Sequence, residues 1–436
     1  MLNHASVNFT MDGVSLTTDP WFTGSVFDSG WSLRFPTPPI AKSILENSDL
    51  IYISHEHPDH FSPTTLRSID KRKRQHMTVL YQQTKDKKVK NWCLANGFNF
   101  CELKPNQWTK IMVNCQVILG THPFDDTWLA MRINDCTLLN TNDCVLNEKS
   151  MANIKDLVGP VDVLLSQFSY AGWCGNENEE GLRKSASDAV LKRLKLQCEI
   201  LAPEHVIPFA SSFYFSAIDN FYMNDRANTL PHVLRELEAD GLSSIGMAPG
   251  QSWVLGERHS NETAINLWES IDVETLQKNQ FPTILLEELV SASTVFVERL
   301  KDRNNRFLLH ICHLMGFVSE INIRIIDLDK VCRFSPVAGL KQISTANTDI
   351  DLHSSAFHFL ISHDYGVDTL LVNSRMRLSD GSMKLFLRTF GLGKLNNTGR
   401  SLSFKLVFDL RYLFAILHRV FLSPAKDELG RERVRA

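Results

Sequence analysis

The 436-residue chain has no C-x-x-C pair, no marked excess of charge of either sign and no long charge-free hydrophobic run. Each absence closes off a class of protein. Its nine cysteines, at 93, 101, 115, 136, 144, 174, 198, 312 and 332, are scattered singly. That spacing argues against a disulfide framework and against a cysteine zinc site, and the thiols are expected to be reduced and mostly buried. With 46 basic residues against 49 acidic ones the net charge is -3, so no nucleic-acid partner is expected. Residues 1–16 lack a basic region followed by an apolar one; no secretory leader is legible, and the cytoplasm is the expected compartment. The apolar stretch from Phe404 to Phe421 is interrupted by Lys405, Asp409, Arg411 and Arg419. It falls far short of the ~20 apolar residues a membrane span needs. It reads as a helix packed on its own domain, the alternative being an interfacial helix, because Arg431, Arg433 and Arg435 follow.

What is present describes a globular protein. Hydrophobic residues make up 43% and charged residues 22%, and the length suggests two domains. Residues 5–18 alternate polar and apolar around Met11-Asp12-Gly13, which predicts a β-hairpin. Leu50–Ser54 reads as a buried strand, followed by a histidine-rich loop and a helix starting near Ser62-Pro63. Further strands are expected at Met77–Tyr81, Ile111–Ile118, Trp128–Ile133, Thr137–Leu139, Val161–Ser166 and Ile200–Ala202, with helices near 83–95 and 178–195. This alternation predicts a layered α/β sandwich over residues 1–260. The polar run Gly256-Glu257-Arg258-His259-Ser260-Asn261 marks the boundary. Residues 261–436 are expected to form a C-terminal α+β domain, with a helix at 283–301 and strands near 307–312, 320–327 and 368–373.

The chemistry concentrates in His55-Glu56-His57-Pro58-Asp59-His60. Donors at i, i+2, i+4 and i+5 let His55 and His57 take one cation while Asp59 and His60 turn toward a second. Two such ions can share a water and lower its pKa. His122, after the strand ending at Leu119, is expected as a third histidine for the first ion, and Asp143, after Thr137–Leu139, as a bridging carboxylate. A surface histidine and a turn aspartate are the plain alternatives. His310 and His313 have helical ligand spacing but no carboxylate partner nearby, and read as ordinary packing. Tyr170, Trp173 and the loop holding Gly172 and Gly175 are candidates for a substrate wall. Arg226 is either an anion clamp or a solvated ion pair.

The His-x-His-x-Asp-His run, with His122 and Asp143, resembles the metallo-β-lactamase superfamily. His4-Ala5-Ser6-Val7 and Thr18-Asp19-Pro20 look like its lactonase and phospholipase D-like branch. Asp19-Pro20-Trp21, Gly24, Gly30-Trp31, Leu50–Ser54, Asn140–Cys144, Pro208-Phe209-Ala210 and Asp368-Thr369-Leu370 narrow the resemblance to the metal domain of the CMP-N-acetylneuraminate hydroxylases. The resemblance implies an αββα sandwich. Those hydroxylases also carry a Rieske iron-sulfur domain, whose Cys-x-His and Cys-x-x-His pairs this chain lacks, so electrons would come from a separate donor. In lactonase-like relatives a last histidine completes the second ion's ligands where Phe209 stands here; His205, four residues earlier, is either its substitute or an ordinary side chain.

Two functions follow. One is an iron-dependent oxygenase acting on a nucleotide sugar or comparable small polar substrate. The other is a metal-dependent hydrolase, iron or zinc being the candidate ions, in which Asp59 orients the nucleophile or takes its proton. A scaffold with a degenerate site would require the histidine run to be vestigial.

Overall fold

The computed structural model describes residues 1–121, 126–397 and 399–404. His122 and the apolar stretch beyond Phe404 therefore lie outside the described residues. The N-terminal hairpin forms as expected: Asn8–Met11 pairs with Val14–Thr18 across Asp12-Gly13, both with positive φ (49° and 78°), the geometry a tight hairpin turn requires. Val14–Thr18 then pairs in parallel with Leu50–Tyr52, whose three residues are all buried, as a central parallel strand demands. Thr78–Gln82 and Asn99–Leu103 complete a five-stranded sheet.

A second sheet of six strands runs in the order His205–Phe209, Val163–Gln167, Cys136–Asn142, Thr127–Ile133, Cys115–Thr121 and Thr109–Met112. The two sheets face each other through Leu16, Leu50, Tyr52 and Leu80 on one side and Val117, Leu119, Leu129 and Met131 on the other. Helices Pro39–Glu46 and Lys88–Ala95 cover the outer face of the first sheet. Helices Glu148–Val158, Glu180–Leu201, Leu230–Ala239 and Glu262–Ser270 cover that of the second. The layering is αββα, the sandwich the resemblance implied.

A third, five-stranded sheet, in the order Gly339–Gln342, Lys330–Ser335, Ile321–Ile325, Ile350–Leu352 and Arg377–Leu378, packs with helices Leu286–Arg303, Ser354–Ser362 and Ser382–Asn397 around its own core. The helix Glu262–Ser270 does not belong to that core. Its Ala264 and Trp268 pack with Phe35 and Phe168, so the first core extends past the division expected at 260.

Local pattern misled in four places, the first being Ile111–Ile118, expected as one strand, where Thr109–Met112 and Cys115–Thr121 pair antiparallel across a turn. Residues 200–202 close the long helix Glu180–Leu201, and the strand begins at His205 instead. Arg306–Leu314 and Gly366–Asn373 are helices where strands were expected. Both are short apolar runs in which periodicity does not separate a buried strand from a buried helix. The caps of the first decide it: Asn305 accepts the Leu308 amide at 3.0 Å, satisfying a donor that only a helix start leaves open.

Candidate metal centre

The histidine run leaves the sheet at Tyr52 and turns at once, because Ser54 closes the strand by donating its amide to Asp19 Oδ1 at 2.8 Å. Eight residues on, Ser62 caps the helix Pro63–Ser68 by accepting the Thr65 amide, with proline at the first helical position. A strand end and a capped helix thus fix both ends of a short loop, and its side chains converge.

Two groups of donors form, each able to hold a cation. His55, His57 and Asp143 make one; His4, Asp59 and His60 make the other. In the first, His55 Nε2 lies 3.7 Å from Asp143 Oδ2 and 2.8 Å from His57 Nδ1. In the second, Asp59 Oδ2 lies 3.3 Å from His4 Nε2 and 3.1 Å from His60 Nε2. The groups adjoin, since His60 Nε2 is also 3.8 Å from Asp143 Oδ2. Asp59 Oδ1, Asp143 Oδ1 and His4 Nδ1 are buried and have no hydrogen-bond partner among the described residues. Buried carboxylate oxygens are rarely left so, and a divalent ion would satisfy them. Mixed imidazole and carboxylate donors suit zinc or iron.

Outer partners set the imidazoles' orientation. Asp19 is fully buried and accepts from His60 Nδ1 at 3.1 Å, from Asn142 Nδ2 at 3.0 Å and from Ser54 N. The His60 bond turns Nε2 toward Asp59 and Asp143, the carboxylate-histidine arrangement that fixes a ligand's tautomer. Asp19, His4 and Asn142 all hold positive φ (37°, 38° and 52°) without being glycine, a local strain characteristic of sites whose side chains must be aimed.

The electrostatics favour neutral imidazole at three of the four histidines. Burial pushes His55 well below the usual range, with His60 and His57 adding to the effect, and burial also lowers His57 and His4. His60 is the exception: burial opposes its charge, but Asp59, Asp143 and Asp19 around it raise it well above the usual value. Burial likewise opposes the Asp59 carboxylate, yet His60 and His4 hold it well below its ordinary range. In the metal-free protein the second group is therefore an ion cluster that a cation would displace a proton to enter.

The residues expected from sequence divide as follows. His55, His57, Asp59, His60 and Asp143 come together. His205 does not reach them. Its strand pairs in parallel with Val163–Gln167, and His205 sits at the level of Val163 and Leu138, the opposite end from Asn142, Ser166 and Pro208. Its ring contacts Trp253 and its Nδ1 lies 2.7 Å from Ser243 Oγ. The second group's further imidazole is His4, missed because it stands alone before the hairpin. Parallel pairing of Thr18 with Tyr52 carries it to the ligand loop, and Ala210, just after Phe209, donates its amide to the His4 carbonyl at 3.1 Å. Arg226 pairs with Glu180 on the surface, and His313 Nδ1 donates to the Val318 carbonyl at 3.0 Å; neither serves the centre.

A cavity of about 410 Å³ opens over the cluster, lined by His57, Asp59 and Asp143 at one end. Tyr170 and Trp173 line it as expected. Val372, Leu378 and Met383 line it too, from the unit built on the third sheet. No local signal marks them. Leu378 exchanges hydrogen bonds with Asn176, 202 positions earlier, at 2.7 and 2.9 Å.

Residues 1–166 match the family model described as "Beta-lactamase superfamily domain". The chain is 26% identical over 287 residues to the cytidine monophosphate-N-acetylneuraminic acid hydroxylase of Danio rerio, covering 61% of this chain and 47% of that protein. It spans about half the length of that relative. Looser likenesses join it to the diiron β-hydroxylase CmlA from Streptomyces venezuelae (TM-score 0.39, 15% identity, 56% of this chain and 51% of the other). A further one is to an isothiocyanate hydrolase from Delia radicum gut bacteria (TM-score 0.41, 14% identity, 58% and 97%). Overlaps this loose carry no argument about activity.

Proposed function

From its metallo-β-lactamase fold we propose that this chain is a metal-dependent oxygenase, holding two divalent ions and drawing electrons from a separate iron-sulfur donor. The observation that carries the reading is the pair of adjoining donor groups, His55-His57-Asp143 and His4-Asp59-His60, beneath one cavity. The sequence similarity to hydroxylases supports the choice of oxygenase over about half their length. The nucleotide sugar in the relatives' name belongs to those proteins.

Ions held there would supply Lewis acidity and, if they are iron, dioxygen chemistry. The chain's own residues do the rest. Asp19 holds the His60 ring in one orientation, the neutral His55 and His57 are ready to ligate without losing a proton, Asp143 adjoins both donor groups and would serve either ion, and Asp59 would orient a nucleophile or take its proton. His4, grouped with Asp59 and His60, would offer the second ion the imidazole that Phe209 does not. A second reading, a hydrolase with zinc, is favoured by Asp59 Oδ1, which has no hydrogen-bond partner among the described residues and is suited to orienting a nucleophile.

Metal analysis of protein purified without added metal separates the two. Iron as the principal metal, with dioxygen consumed by the chemically reduced protein, is the expected result. Zinc as the native ion, with no oxygen uptake after iron replacement, would overturn the oxygenase and leave the hydrolase.

A further inference from the structure

Much of the cavity lining away from the donor groups is apolar, with Gln167, Ser379 and four charged side chains among it. Beyond His57, Asp59 and Asp143, one wall is the helix Glu180–Leu201, which presents Leu182, Ala186 and Val190; the facing wall is Val372, Leu378 and Met383. Among the described residues, Arg193 is the one lysine or arginine on the lining, whereas three carboxylates outside the donor groups, Asp126, Glu179 and Asp380, also line it. Glu179 already accepts the Asn176 amide at 2.6 Å. A phosphate or nucleotide is recognised by several cationic donors, preferably guanidinium forks, and this lining is acidic and apolar instead.

The facing wall is also fixed in place. Trp173 donates its amide to the Leu371 carbonyl at 2.8 Å, Arg377 pairs with Glu177 at 2.9 Å, and a Cβ on Gly172 would come within 3.3 Å of Leu371 O. The unit built on the third sheet thus packs against the sandwich as one side of the cavity.

We propose that the cavity takes a substrate with a polar end at the metal pair and an uncharged, apolar body lying between the Glu180–Leu201 helix and the Leu378–Met383 wall, and that this wall selects it. The inference rests on the metal-centre reading and departs from the nucleotide sugar of the relatives. Burial of apolar surface supplies the affinity for such a body, and the single polar end supplies orientation.

The test uses the full chain loaded with zinc and straight-chain hydroxamates from acetohydroxamate to decanohydroxamate, with cytidine monophosphate as the competing class, measured by calorimetry. The expected result is affinity rising about fourfold per added methylene until the cavity is full, with cytidine monophosphate binding far more weakly than the longer chains. Ala189, half-buried on the same helix and on the lining, gives the variant: Ala189→Phe should shorten the chain at which the rise stops. Equal affinity at all chain lengths, or cytidine monophosphate binding as tightly as octanohydroxamate, overturns the apolar subsite while leaving the metal centre standing. Failure of every hydroxamate, including the shortest, removes the metal centre and this inference together.

Discussion

Asp19 shows how much of the centre is decided by one side chain that touches no substrate. It gathers three donors, from Ser54, Asn142 and His60, with no exposure to solvent. Asp19→Asn replaces one acceptor oxygen by a donor facing other donors. The His60 ring loses its anchor, and the affinity of the centre for zinc, measured by competition with a chelator, should fall about 10–100-fold while the unfolding transition still reports a folded chain. Unchanged affinity would show that Asp19 acts on the fold and not through His60. At this scale the sequence was legible where donors are clustered: His55, His57, Asp59 and His60 lie within six consecutive positions. His4 was not legible as a donor, because a lone histidine before a hairpin has no partner until strand pairing provides one. His205 misled for the complementary reason: a position counted from Phe209 ignores that four residues along a strand move a side chain to the other end of that strand.

Among the elements, the decisive join lies at Arg375. This buried guanidinium reaches Asp28 at 2.6 Å, Asp219 at 3.0 Å and Ser355 at 2.9 Å, over the Phe281 ring at 3.3 Å, so one residue after the Gly366–Asn373 helix ties the third-sheet unit to two loops of the sandwich. Beside it the backbones approach so closely that a Cβ on Gly30 would stand 2.5 Å from that of Asn373. Arg375→Met strands two carboxylates, and denaturant unfolding should show a loss of about 3–5 kcal/mol. The loss depends on pH with a definite sign. Burial pushes the Asp28 carboxyl up to about 6 even with Arg375 pulling it down. A raised folded-state value means that the folded chain binds the proton more tightly; this contribution is fully present below pH 4 and lost as the pH rises through 6. Without Arg375 the carboxyl rises further, so the variant should fall further behind the wild type at pH 8 than at pH 5. A deficit that is equal at both values would contradict this account of the join. No local pattern marks Arg375, and its neighbouring helix read as a strand, because eight apolar-rich residues carry no periodicity that separates the two.

For the whole molecule, the αββα sandwich was legible because its alternation of short strands and helices is a long-range pattern that survives errors of a few residues. The second unit was legible only as a presence. Its five-stranded sheet depends on pairings such as Ile323 with Ile350, and its part in the cavity depends on contacts across 202 positions, which no local window contains. Among the described residues no helix is long and apolar enough to cross a membrane. The account stands or falls on whether this arrangement is one centre built for two cations, with the N-terminal His4 as part of it. The direct measurement is titration of metal-free protein with cobalt(II), read by absorption and by equilibrium dialysis. Two ions per chain for the wild type, and one for His4→Ala with the His55-His57-Asp143 group still filled, is the predicted result; a single ion in the wild type, or two retained after His4→Ala, would contradict it.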